Sequence, residues 1–420
     1  KATDALYPET YTYDENGRLL SVKNGWRPYH YSYDVTGRTT AVTDSRRNTL
    51  RYAYNAAGQR TKLIYPDGKE VSYHYDSAGR LSSLSDWRGG TTVFIYDALG
   101  RRTEMMHANG TKSRYTYDLA GRLTDLVHQN SSGVIIDQHT YSHDATGNRL
   151  NISRPQDQHN YVYDPLDRLL QNTPTPSTGA DPTLTQPSEL FSYDPVGNRV
   201  TGPESTNGHS YNTGNQLISS PDKTYEYDNN GNLIYTSSPE ATIWYFYDFE
   251  NRLRRVWEEN AAGQQTKNIY YRYDAFGRRV EKIVQTYGSV GFISAHVYFY
   301  LYDNEDIVVT EKRTFTSSGL SIEKTTTLHG PGIDEPLMSE NSQGTLYYHA
   351  DGLGSIVALT DENEQIVERY SYSSFGEIKK KHGIDNPYTF TGREFDEETG
   401  LYYYRARYYD AEVGRFMSED

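Results

Sequence analysis

The chain has 420 residues, with 41 Tyr, 34 Gly, 12 Phe, 4 Trp, 4 Met and no Cys, a net charge of −14 and a mean hydropathy of −0.83. The lack of Cys excludes a disulfide scaffold and thiolate chemistry, and the low aliphatic content argues against a large Leu/Ile/Val-packed enzyme core, while 14 % aromatic residues set the chain apart from disordered ones. No run approaches the roughly 20 apolar residues of a membrane span, and the acidic balance gives no electrostatic reason to expect nucleic acid.

In chain order, Lys1 to Pro8 carry no signal-peptide pattern, and Tyr11 already opens a repeat, so the chain reads as a fragment of a longer protein. The repeat is aromatic-x-Tyr-Asp-x-x-Gly-Arg. It occurs as YTYDENGR at Tyr11, YSYDVTGR at Tyr31, YAYNAAGQR at Tyr52, YHYDSAGR at Tyr73, FIYDALGR at Phe94 and YTYDLAGR at Tyr115. From Tyr31 to Tyr115 the step is 21 residues four times running, a self-similarity that marks a repeat architecture. Looser copies follow at Tyr141, Tyr161, Phe191, Tyr225, Tyr245 and Tyr271.

Each unit reads as a β-hairpin. Tyr73 and Tyr75 share one face of a strand, Asp76 opens a turn, and Gly79 supplies its left-handed residue. A second strand follows with Leu81 and Leu84, and return turns are marked by Asn24-Gly25, Pro66-Asp67-Gly68, Arg88-Gly89-Gly90 and Asn109-Gly110. Successive hairpins pair edge to edge into an antiparallel ribbon. About 13 hairpins at about 4.8 Å per strand give a ribbon on the order of 125 Å long. Closed into one ring it would be roughly 40 Å across, wide enough to enclose space; a stacked pair of sheets is the alternative.

Regularity fails at residues 171–190, rich in Pro, Thr and Ser and read as an exposed loop. It fails again between Gly202 and Asp222, and in longer excursions at Val284–Tyr298 and Lys312–Leu328 that suit long hairpins or lids. From about Leu328 the rhythm stops, dividing the chain into a hairpin shell at 1–325 and a closing unit at 326–420.

That closing unit contains YHADGLGS, then GREFDEETGLYYYRARYYD and GRF. The repeats resemble the RHS/YD-repeat family, and the tail, through these more specific motifs, is similar to its RHS-associated core. The resemblance covers nearly the whole chain. It implies an all-β, hollow shell made by a spiralling strip of hairpins. In bacterial polymorphic toxins, and in the C component of insecticidal toxin complexes, such a shell encloses a variable C-terminal toxin. The core there is an aspartyl protease that cuts the chain once, in cis. Teneurins of animal cell surfaces carry a related shell without that role.

Carried onto this sequence, the resemblance implies Asp396 and Asp420 as the catalytic carboxylates, with Arg393 as the accompanying arginine. Two carboxylates sharing a site cannot both ionise easily, so they titrate as a unit and one keeps a proton. The ionised one could activate water while the protonated one polarises the scissile carbonyl. Asp410 is a competitor, but it echoes the repeat's own Tyr-Asp turn. The family's cleavage segment would start at Asp420, where the given sequence stops, so the substrate peptide is not in this chain.

Other chemistry is weaker. His349 and Asp351 have a spacing that could suit a metal, but no second His or Cys cluster supports it. Carboxylates are too sparse for an EF-hand. Ser355 lacks a nucleophile-elbow pattern, and no cofactor is implied. The Tyr rows could stack on sugars, or pack on neighbouring hairpins as cross-strand aromatic pairs do. Two functions therefore stand. One is a bacterial, secreted or delivered container, whose partners are its own toxin segment as cargo and a plug, partner shell or secretion component. A single-turnover autoprotease is the one activity it could have. The other is a non-catalytic cell-surface adhesion or carbohydrate-binding module.

Overall fold

The structure, a computed structural model, describes residues 9–24, 27–202, 208–289 and 291–419. Antiparallel strands follow one another in sequence and in space. Seventeen, between Glu9 and Leu190, form the first sheet, and sixteen, between Ser210 and Lys380, form the second. Strands Ser192–Tyr193 and Arg199–Thr201 pair between them, and a four-stranded C-terminal sheet runs from Glu394 to Phe416. The helical geometry among the described residues is one short turn, Phe390–Gly392. The expected all-β ribbon of hairpins is present.

The repeat explains itself at the turn. Asp76 Oδ1 accepts the backbone N–H groups of Ala78 and Arg80, both at 2.9 Å, and Oδ2 accepts Arg80 Nε at 2.7 Å. Gly79 closes the turn at φ +79°, a conformation that costs a side-chain-bearing residue strain. Arg80 then reaches forward to the carbonyl of Asp97 at 3.0 Å and lies 4.9 Å over the ring of Tyr96. The Tyr of each Tyr-Asp reaches backward: Tyr96 donates to Leu81 O and Tyr117 to Arg102 O, both at 2.8 Å. The same bond joins Tyr75 to Arg60 O and Tyr372 to Ile356 O. Phe could fill that space but not make that bond. The abundance of Tyr is therefore a hydrogen-bonded ladder along one rim.

The opposite rim of the first sheet, made of return turns, leans on the second sheet in register. Arg46 pairs with Glu311 at 2.8 Å, Lys69 with Glu340 at 2.6 Å, Asn109 Nδ2 donates to Asp361 O at 2.9 Å, and Ser131 N donates to Glu364. Behind this seam Leu50, Leu63, Val71, Leu84 and Phe94 pack on Leu301, Val308, Leu328 and Met338. The facing sheets are thus filled with side chains along this stretch, while a cavity of about 380 Å³ persists beside the C-terminal segment.

Three sequence expectations are refined. The two excursions are long hairpins: Arg279–Gly288 pairs with Gly291–Asp303, and Asp306–Thr316 with Gly319–His329. The last of these strands straddles residues 325/326 and pairs onward with Pro336–Asn341, so the ladder runs unbroken through that point to Lys380. Residues 171–190 are not a free loop. Strand Leu169–Pro176 enters the stretch, and Leu184 and Gln186 are buried. Ser371 Oγ donates to Leu184 O at 2.6 Å, and Lys379 Nζ donates to Thr185 O at 2.6 Å. The second sheet satisfies these carbonyls, which is why the segment can be covered.

Candidate functional site

Strand Glu394–Asp396 opens the C-terminal sheet, and its alternation puts Glu394 and Asp396 on one face. Asp396 is 1 % exposed. Its Oδ2 accepts Arg279 Nη1 at 2.5 Å and the Tyr271 hydroxyl at 3.2 Å, and its Oδ1 accepts Lys282 Nζ at 2.7 Å. Arg279 also donates from Nη2 to Glu394 at 3.1 Å and from Nη1 to the Tyr408 hydroxyl at 3.2 Å. Its guanidinium lies 4.3 Å from the ring centre of Tyr403. Lys282 pairs in addition with Glu398 at 2.6 Å. Backbone N–H groups of Thr399 and Gly400 bond the Asp396 carbonyl and turn the chain into Leu401–Tyr404.

Burial penalises the charge on Asp396, but Arg279 and Lys282 more than offset it and hold its carboxyl below the ordinary range. Glu394 moves the other way: burial raises it, Arg279 pulls it back in part, and the neighbouring Asp396 charge adds to the rise. The two neighbouring carboxyls are thus shifted in opposite directions, Asp396 down and Glu394 up. Lys282, Glu394 and Asp396 line the 380 Å³ cavity together with Tyr298, Lys312 and Tyr348, so the pair faces open space.

The other expected residues distribute differently. Arg393 is not beside Asp396: it pairs with Asp334 at 2.9 Å and lies 4.9 Å over Tyr404. An odd separation of three residues along an extended strand turns its side chain to the other face. The arginine that meets Asp396 is Arg279. It directly follows the turn arginine Arg278, at a position where other repeats carry Leu81, Leu123 or Leu253 and where Arg60, Arg102, Arg149 and Arg199 also occur. Each of these arginines crosses to a distant element: Arg60 to Asp303, Arg102 to Glu335, Arg149 to Gly352 O and Arg199 to Glu412 O. An arginine at this inward position marks a long-range contact in each of these repeats, without singling out the one that meets Asp396.

Asp420 lies outside the described residues. Asp410 sits apart from Asp396, in a second cavity of about 290 Å³ with Lys223, Tyr225, Tyr245 and Glu412. Burial and the Glu412 charge, against a smaller pull from Lys223, push its carboxyl up to about 6. Asp351 is a turn residue accepting Leu353 N and Ser355 N, and Ser355 Oγ accepts Thr391 N at 3.1 Å. His349 bonds Thr360 Oγ1 at 3.0 Å, and among the described residues no cluster of three or more His, Asp or Glu is placed to hold a metal ion.

The family model of the teneurin YD-shell matches residues 2–87 and 183–420, and that of the RHS repeat matches 96–132. The chain is 32 % identical over 241 residues to the tRNA3(Ser)-specific nuclease WapA of Bacillus spizizenii, covering 55 % of this chain and 9 % of the relative. It is 25 % identical over 299 residues to double-stranded DNA deaminase toxin A of Burkholderia cenocepacia, covering 67 % of this chain and 20 % of that protein. It therefore spans only a small part of either relative. Among solved structures it resembles a chain of the Photorhabdus luminescens Tc holotoxin pore carrying a TccC3 mutation, with a TM-score of 0.80 at 17 % identity, over 98 % of this chain and 23 % of the other. At that identity the likeness concerns the fold.

Proposed function

The chain belongs to the teneurin YD-shell family, and from that we propose that it is the shell portion of a bacterial RHS-repeat toxin protein, which encloses a toxin segment following residue 420 and severs it from itself. The observation that carries the reading is Asp396, held as a buried anion between Arg279 and Lys282 in the wall of a cavity. A purely structural hairpin ribbon has no need of it. In this reading Asp396 and Asp420 form the carboxylate pair. The ionised member takes a proton from water, the protonated member hydrogen-bonds the scissile carbonyl, and hydrolysis of one peptide bond yields a new carboxylate and a new amine. Arg279 keeps Asp396 ionised and oriented while also pairing with Glu394. Residues 326–420 act as the closing unit. A plug, a partner shell or a secretion component completes the container, which is delivered to target cells.

The test is the chain extended through its natural continuation, with intact masses measured under denaturing conditions. Wild type should give two fragments, and Asp396→Asn and Asp420→Asn one uncut chain each. Asp420→Asn leaves the Arg279–Asp396 pairs in place and so separates lost cleavage from lost folding. An uncut wild-type chain would remove the protease and put the passive adhesion or carbohydrate-binding module first.

A further inference from the structure

Three histidines outside the carboxylate site meet where the first and second sheets face each other. His107 follows strand Arg102–Met106, His128 lies in Leu123–Gln129, and His349 lies in Gly344–Ala350 of the second sheet. None is more than 1 % exposed. Their rings pack edge to face, His107 to His349 at 5.4 Å between centres and His128 to His349 at 5.2 Å, with Tyr347 on His107 at 5.9 Å.

The hydrogen bonds suit uncharged rings. His128 donates from Nε2 to Ala350 O at 3.0 Å, which leaves Nδ1 to accept from Ser113 Oγ at 2.8 Å. Both nitrogens of His107, and Nδ1 of His349, are buried without a partner. For His349 the idle nitrogen is an acceptor, which a neutral ring tolerates. For His107 the neutral ring already leaves one N–H poorly met, with the Tyr348 backbone beside it, and an imidazolium would add a second next to a like charge. The surroundings offer little compensation. Arg102 faces His107, Arg369 faces His349, and Asp137 and His139 face His128; Asp137 is itself 3.6 Å from His139.

We propose that this trio is an acid-operated latch: uncharged, it holds the two sheets together, and its protonation in mild acid parts them along the row of return turns. Burial, then the neighbouring rings and Arg102, hold His107 down to about 3. Burial outweighs the pull of Asp137 and holds His128 down to about 4, and His349 is lowered further by burial and by both partners. Parted and hydrated, each returns towards about 6.5. The seam is therefore fully stable above pH about 6.5 and weakens as pH falls below it, because only the open form binds the protons. With three such groups, the opening constant rises up to about a thousandfold per pH unit in that window.

The chain has no Cys, so Ser132→Cys and Asn363→Cys place one pair of spin labels across the seam on exposed turns. Label separation is measured from pH 7.5 to 4.5, with amide exchange in Gln265–Tyr273 reporting on the rest of the molecule. The expected result is separation with a slope near three protons while those amides stay protected. His107→Phe, which removes no hydrogen bond, should lower the slope by one. His349→Gln keeps a group for Thr360, should do the same, and serves if the first variant does not fold. A seam closed to pH 4.5, a slope unchanged in the folded variants, or simultaneous loss of protection in Gln265–Tyr273 would overturn the latch.

Discussion

Arg278 and Arg279 are neighbours in sequence and belong to two different regions of the molecule. Arg278 belongs to the row of rim turns and closes its turn onto Asp274, four residues back, as Arg80 does onto Asp76; the Arg80 pair keeps 35 % and 25 % of its exposure, while the Arg278 pair is covered, at 11 % and 0 %. Arg279 points inward, has none, and meets an aspartate 117 residues away that is 1 % exposed. The rim uses Arg and Asp as repeated local fasteners in a solvent that screens them. The interior holds covered Arg–Asp pairs such as Arg154–Asp157 and Arg279–Asp396, and in the latter neither side chain is more than 1 % exposed, so removing either charge is costly.

That contrast can be broken by substitution, and the largest effect belongs inside. Asp396→Asn removes the anion that Arg279 and Lys282 share, leaving them Glu394 and Glu398, and should cost about 3 kcal/mol, read from the denaturant midpoint at pH 7.5. Arg279→Met should cost a similar amount, and a loss under 1 kcal/mol from both would show that the cluster is hydrated rather than buried. Next comes Asp410, whose raised carboxyl makes the folded state hold a proton that the unfolded state releases between about pH 4 and 6. Its contribution is full below pH 4 and lost as pH rises through 6. Asp410→Asn should therefore stabilise by about 1–3 kcal/mol at pH 8 and by nothing near pH 4. A gap independent of pH would contradict this.

Smaller again is the ladder. Tyr96→Phe removes the bond to Leu81 O and should cost about 1 kcal/mol, with faster exchange confined to the amides of the hairpins it joins. Smallest is Arg80→Gln on the rim, for which the melting temperature should hardly move and the residual effect should vanish in high salt. A rim loss as large as that of Arg279→Met would erase the distinction between the regions.

Legibility in the sequence followed distance along the chain. The hairpin at Tyr73–Leu84 could be read because Asp76, Gly79 and Arg80 act within a few residues of one another. The purpose of the Tyr hydroxyls could not, since each acceptor lies about 15 residues away in another hairpin. Asp396 was reached by resemblance, whereas its arginine was assigned to Arg393, the nearest in sequence. Strand parity turns Arg393 away from Asp396, and the arginine that does meet it, Arg279, comes from a hairpin 117 residues earlier, a distance no local pattern spans. The burial of Leu184 and Gln186 was hidden for the same reason: their segment has loop composition, and what covers it comes from Ser371 and Lys379.

The hydroxyl ladder also has an arrow. Along the regular part of the array the Tyr of the motif bonds a carbonyl that precedes it in the chain, as Tyr54 does to Thr39, Tyr75 to Arg60, Tyr96 to Leu81 and Tyr117 to Arg102, whereas the Tyr247 hydroxyl is buried without a partner. The Tyr rung of a hairpin therefore closes on residues already made, while Arg80 waits for Asp97 O and the return turns wait for partners such as Glu311 and Glu340.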